Sequence, residues 1–154
     1  MIKIIGIGNI LMEDDGIGVI IAEKIRRRIE NENRRDMQVI IGETDIDYSI
    51  SFIEEGDCVF LIDGSAYDKM PGQLTVLTKQ NCCYKKHSYT LHSYNLADLI
   101  KSYFKSVKVY IIGIEVSSVS FKLGLSELLD KKIESIYREV WIQIVSLVSK
   151  DMEA

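Results

Sequence analysis

The sequence predicts an α/β fold: a three-layer α/β/α sandwich built on a mostly parallel five-stranded sheet with one antiparallel strand. Three observations predict it. Four short segments, Ile2–Ile7, Met37–Ile41, Cys58–Ile62 and Val107–Ile114, are rich in β-branched residues and nearly continuously apolar, as strands covered on both faces must be. Segments with helical spacing alternate with them. One further strand pattern, Leu74–Thr78, follows its predecessor with no helix between and so suits an antiparallel edge.

In chain order, Ile2–Ile7 runs into Gly8, and a helix is expected from about Gly16 to Glu30, with Ile21, Ile25 and Ile29 on one face. The polar stretch from Asn31 to Asp36 connects it to the second strand, which Gly42 stops. Tyr48–Glu54 reads as a short helix, and Cys58–Ile62 as a buried strand ending at Asp63–Gly64. Pro71–Gly72 is a turn signal before Leu74–Thr78. Asn95–Phe104 is predicted helical, with Leu96, Leu99 and Ile100 inward. Ser126 suits the cap of a long last helix whose apolar face is Leu129, Ile133, Ile136, Val140 and Ile144. No repeat, linker or low-complexity segment interrupts the 154 residues, so a single domain over 1–154 is expected.

Composition narrows the function. With 47% apolar and 27% charged residues the chain can bury a sizeable core. A net charge of −4 argues against nucleic acid or an anionic membrane as partner. No apolar run approaches a membrane span or a signal-peptide core, so a cytoplasmic location is expected; a monomer is expected as well. Three cysteines, Cys58, Cys82 and Cys83, form no CxxC pair, so neither a disulfide framework nor a thiolate zinc site is indicated. Cys58 reads as a small core residue, and Cys82 and Cys83 as loop positions. With only His87 and His92, a three-histidine zinc site is impossible, and any metal site must lean on carboxylates.

The stretch GIGNILMEDDGIG, residues 6–18, is the most informative. A glycine turn between strand and helix normally binds phosphate, but Glu13, Asp14 and Asp15 would repel one. Leu11 also occupies the third-glycine position of a dinucleotide fingerprint, which leaves a dinucleotide-binding module as the weaker alternative even with Glu43 available as a ribose partner. Right-handed crossovers put the first strand between the second and third, so the loop bearing Asp15 and the strand end bearing Asp63 flank one crevice at the carboxyl edge of the sheet. Each has a plainer reading: Asp14 or Asp15 as a helix cap, Asp63 as a turn residue. Together, two converging carboxylates require a cation or a shared proton. His92, before the predicted Asn95 helix, could complete a cation site or be a surface residue. His87, among Lys85, Lys86 and Ser88, reads as loop. One imidazole with two carboxylates suits nickel or zinc better than calcium or magnesium. No GxSxG motif and no convincingly paired serine or cysteine nucleophile is present.

Residues Gly6, Gly8, Asn9, Leu11, Asp14, Asp15, Gly16 and Gly18 fill the pattern GxGNxLxxDDGxG, which resembles the N-terminal motif of the hydrogenase maturation proteases. VFLIDGS, Pro71–Gly72, LHSYNLADLI, IIGIE and Gly124–Leu125–Ser126 follow in that family's order. The resemblance implies a phosphorylase/hydrolase-like fold and a metal-dependent endopeptidase that trims the C-terminus of the nickel-iron hydrogenase large-subunit precursor after nickel insertion. It also implies that Asp15, Asp63 and His92 are both the metal-binding and the catalytic set, acting on nickel presented by the substrate. A non-catalytic nickel-binding maturation factor with the same ligands is the other alternative. Gly6, Gly8, Gly16 and Gly18 would allow a tight turn and close approach to substrate, with Asn9 holding the loop and Asp14 supporting it. Two positions depart from the family: Glu43, where Gly-Gly-Thr is frequent, and Val116, where proline is frequent.

Overall fold

The computed structural model describes residues 1–78 and 91–153. The strands are β1 (Ile2–Ile7), β2 (Met37–Glu43), β3 (Cys58–Ser65), β4 (Leu74–Leu77) and β5 (Lys108–Glu115). The helices are α1 (Ile17–Asn31), α2 (Ile46–Ile50), α3 (Leu91–Tyr103) and α4 (Glu127–Glu153), with a 3-10 turn at Glu13–Gly16 before α1. Cys82, Cys83 and His87 lie outside the described residues.

The strands form one sheet in the order β2-β1-β3-β5-β4. β1 pairs in parallel with β2 and β3, β3 in parallel with β5, and β4 runs antiparallel to β5, as the helix-free connection requires. β1 is therefore internal, with β2 and β3 on either side, and the carboxyl ends of β1, β3 and β5 share one edge.

Strand alternation divides the core into two layers. Ile4, Phe60, Ile62, Ile112 and Ile114 face α1 and α4, where Ile17, Ile21, Ile25, Leu129, Ile136, Val140 and Ile144 are buried. Ile5, Ile7, Val59, Leu61 and Ile111 face the other way, against Leu96, Ala97 and Ile100 of α3 and the partly buried Ile46 and Ile50 of α2. Each fully buried aliphatic side chain contributes about 1.5–3 kcal/mol over its exposed state, so this isoleucine-rich double core supplies the main drive to fold. Across the outer surface, the Arg28 guanidinium sits 4.5 Å over the Trp141 ring and ties α1 to α4.

α1 starts within one residue of the expectation, whereas the starts of α2 and α3 differ from it. α1 begins at Ile17, after a 3-10 turn that Glu13 enters with φ 50°. Neither Asp14 nor Asp15 caps it, because no side chain hydrogen-bonds at its N-terminus. α2 occupies Ile46–Ile50 rather than Tyr48–Glu54, since the Asp45 carboxylate accepts the Tyr48 N–H at 2.8 Å and starts the helix early. α3 begins at Leu91 rather than Asn95, so His92 lies inside its first turn. Within that turn the Ser93 N–H interacts with the Asp63 carboxylate at the end of β3. α4 begins as expected, with the Ser126 hydroxyl accepting the Leu129 N–H at 3.3 Å.

Candidate active site

The motif loop is folded on its own backbone. Asn9 Oδ1 accepts the Leu11 N–H at 2.9 Å, and Asp15 Oδ2 accepts the Asn9 N–H at 2.8 Å. Gly8 has φ 126°, and a Cβ there would stand 1.9 Å from the Asp15 carbonyl oxygen. At Gly18 a Cβ would stand 2.2 Å from the Ile62 carbonyl oxygen and 2.4 Å from that of Ile7. These two glycines therefore serve close approach of the chain to itself, where the sequence suggested approach to a substrate.

Besides Asp15, four acids gather at this edge of the sheet, and their environments separate them. Asp14 is fully buried; its carboxylate accepts the N–H groups of Ser117 and Ser118 at 2.9 Å each, the Ser126 N–H at 2.7 Å and the Ser126 hydroxyl at 2.8 Å. Glu13 accepts the hydroxyls of Ser118 and Ser120 at 2.8 Å each, which hold its carboxyl below the usual range. Glu115, at the end of β5, accepts the Tyr67 N–H at 2.9 Å, the Lys69 N–H at 3.2 Å and the Ser65 hydroxyl at 3.3 Å. These three are structural anions, each held by at least two donors. Asp63 is different. It is 2% exposed, and its Oδ2 has no hydrogen-bond partner among the described residues.

Burial pushes the Asp63 carboxyl up to about 7, the Asp15 charge adds to the rise, and Ser93 and the Gly64 N–H oppose it. The Ser93 hydroxyl is close enough to lower it, yet it too is buried without a completed hydrogen bond. Asp63 thus sits between the Asp15 loop and the first turn of α3, as the sheet topology predicted. A buried carboxylate with an unused oxygen and a like charge nearby suits a cation or a proton.

His92 adjoins Ser93 but is exposed, and it lines a small recess with Glu43, Thr44, Asp45, Ile46 and Ser49 at the end of β2. Among the described residues no three histidine, cysteine or acidic side chains stand close enough together to hold a metal ion. Asp15 and Asp63 are thus brought together, whereas His92 stands at the neighbouring β2 side of the crevice. Cys58 is half-buried at the opposite end of β3, where burial raises its thiol to about 11, so it is no nucleophile at neutral pH.

Several site residues escaped the sequence reading. Glu115 and Ser93 had no local signal, because their partners are remote. The serines at 117, 118, 120 and 126 offered one: clustered hydroxyls downstream of a strand can satisfy buried acids. The two departures are also resolved. Glu43 adopts φ 48°, a conformation that glycine takes without cost, and its carbonyl accepts the Gly8 N–H at 2.9 Å. Val116 donates its N–H to the Ser65 carbonyl at 2.9 Å, a bond a proline could not make.

Comparison with known proteins decides the family: the model of the hydrogenase maturation proteases matches residues 19–143. The chain belongs to the hydrogenase maturation protease family. The matched span includes Asp63 and His92, and Asp15 lies just ahead of it. A Methanocaldococcus jannaschii protein provisionally named a hydrogenase maturation protease is 29% identical over 150 residues, covering 90% of this chain and 96% of that one. The hydrogenase expression/formation protein HupD of Bradyrhizobium diazoefficiens is 33% identical over 76 residues, 49% of this chain and 38% of HupD. The fold matches the hydrogenase maturating endopeptidase HybD from E. coli with TM-score 0.73 at 21% identity, covering 94% of this chain and 92% of that one. It matches HybD from Thermococcus kodakarensis equally, with TM-score 0.73 at 18% identity over 92% and 97% of the two chains. Membership makes the chain a peptidase of hydrogenase maturation, and among the described residues no helix is long and apolar enough to cross a membrane.

Proposed function

We propose that this protein is the endopeptidase that removes the C-terminal peptide of a nickel-iron hydrogenase large-subunit precursor after nickel insertion, and that it reads the substrate's nickel through Asp15, Asp63 and His92. The observation that carries the reading is Asp63: a buried carboxylate with one oxygen unused, repelled by Asp15, at the crevice edge of the sheet. Near neutral pH it is poised between charged and protonated, and a cation carried in by the substrate favours loss of that proton. Two carboxylates then balance a dication.

The dispersed position of His92 fits recognition better than storage. On this reading the precursor brings the ion with part of its coordination shell. Asp15 and Asp63 supply oxygen ligands and His92 a nitrogen from the β2 side, a mixed set suited to a first-row metal. The chain's own work is to hold the peptide next to the metal centre in one orientation, which lowers the entropic part of the barrier. Hydrolysis then needs no serine or cysteine nucleophile.

The test is the mass of a precursor incubated with the protein. Loss of a short C-terminal peptide from nickel-loaded precursor, with none from nickel-free precursor and none with Asp15→Asn, supports the reading. An intact precursor that still binds the protein in a nickel-dependent way identifies a non-catalytic nickel-binding maturation factor instead.

A further inference from the structure

The connection from β5 to α4, residues 116–125, does not float over the site. It is pinned across the motif loop by backbone and side chains together. The Glu13 N–H donates to the Lys122 carbonyl at 2.8 Å, the Lys122 N–H to the Leu11 carbonyl at 3.0 Å, and Met12 and Lys122 form a parallel bridge. Beneath them, Asp14 binds Ser117, Ser118 and Ser126, while Glu13 binds Ser118 and Ser120 and lies 3.7 Å from the Lys122 ammonium. At its root, Val116 packs over Gly64, next in chain to Asp63: a Cβ on Gly64 would stand 3.0 Å from a Val116 methyl.

So strongly anchored a segment would be expected to turn its apolar side chains inward. It turns them outward instead. Phe121 is 84% exposed and Leu123 74%, with Leu11 and Val119 also exposed on the two joined loops. These apolar groups are exposed on a segment that contacts both the Asp15 loop and the neighbour of Asp63, which sets them beside the site. A peptide reaching Asp63 along this side of the crevice must run against it.

We propose that Leu11, Val119, Phe121 and Leu123 form an apolar lip that seats an apolar segment of the precursor beside the scissile bond, so that this lip, rather than the acidic pair, selects which precursor is cut. The inference rests on the function proposed above. Glu13 and Asp14 then have a stated purpose: they fix the lip relative to Asp15, so that ordering cost is met before substrate arrives.

The experiment compares the unaltered protein with Phe121→Ser/Leu123→Ser, using Met152→Ser, an equally exposed apolar residue near the end of α4, as control. Nickel-loaded precursors are cleaved across a range of concentrations, and thermal unfolding and sedimentation are run alongside. The lip predicts a KM raised roughly ten- to hundredfold, with kcat and Tm within about twofold and a few degrees of the unaltered protein and the control unchanged. Cleavage by the unaltered protein with the same KM in the double variant overturns the lip alone. A lip that proves to be a dimer contact, shown by concentration-dependent association abolished in the double variant, also overturns it. Absence of cleavage by the unaltered protein overturns both the function and the lip.

Discussion

Replacing Asp63 by asparagine tests the electrostatics of the site without needing a substrate. The side chain keeps its shape but loses its charge. In the folded protein the carboxyl is raised from the ordinary 3.8 to about 7, so the native state holds this proton more tightly than the unfolded chain does. The contribution of Asp63 to stability is therefore greatest below about pH 4, is lost as pH rises from about 4 to about 7, and is flat above. The difference between the two values corresponds to at most about 4 kcal/mol at 1.36 kcal/mol per pH unit. Relaxation of the surroundings will reduce it, so a gain of about 2–4 kcal/mol is expected for Asp63→Asn at pH 8, with near equality at pH 4.

Urea denaturation from pH 4 to pH 8 reads this directly. The quantity to follow is the difference between variant and unaltered protein, because Glu13, Asp36, Glu55 and Glu134 are all pulled below their ordinary values and give slopes of opposite sign in both. The variant should be more stable at pH 8 and inactive on nickel-loaded precursor, which is the signature of a group retained for function at a cost in stability. A variant less stable at pH 8, or a difference that does not change with pH, refutes the reasoning, since Asp63 would then be an ordinary paired anion.

Two further predictions concern the scaffold. Asp14→Ala strands the three N–H groups and one hydroxyl that its carboxylate satisfies and should cost about 3–5 kcal/mol; hydrogen exchange should show the amides of Ser117 and Ser118 losing protection before the rest of the sheet. Gly18→Ala drives a methyl to 2.2 Å from a β3 carbonyl and 2.4 Å from a β1 carbonyl, neither of which can move without opening the sheet. Thermal unfolding should therefore show a larger loss than the about 1–3 kcal/mol usual for overpacking, and a variant as stable as the parent would mean that α1 packs differently.

The elements were legible in proportion to how local their causes are. The internal strands announce themselves because burial on both faces leaves no polar alternation, and α4 because its apolar face repeats over many turns and Ser126 begins it. The start of α1 was legible to within a residue, though not the diversion of the Asp14 carboxylate to a segment 103 residues away; the starts of α2 and α3 were misplaced where the helix terminus answers to something else, at α2 a cap at Asp45 and at α3 the Asp63 carboxylate beside Ser93. The meeting of Asp15 and Asp63 was legible, because chain order and crossover handedness alone determine which strand ends are neighbours. The position of His92 relative to them was not, since it depends on where α3 starts and how it rotates.

By itself, then, the sequence determined the layer architecture, the place of β1 between β2 and β3 and the identity of the converging acids, all of which follow from periodicity and the chirality of the chain. Only the tertiary structure decided what each acid does. Asp14, Glu13 and Glu115 are each held by donors from distant loops, and Asp63 has one oxygen left over; that difference is a property of burial and of neighbours remote in the chain, and no local pattern encodes it.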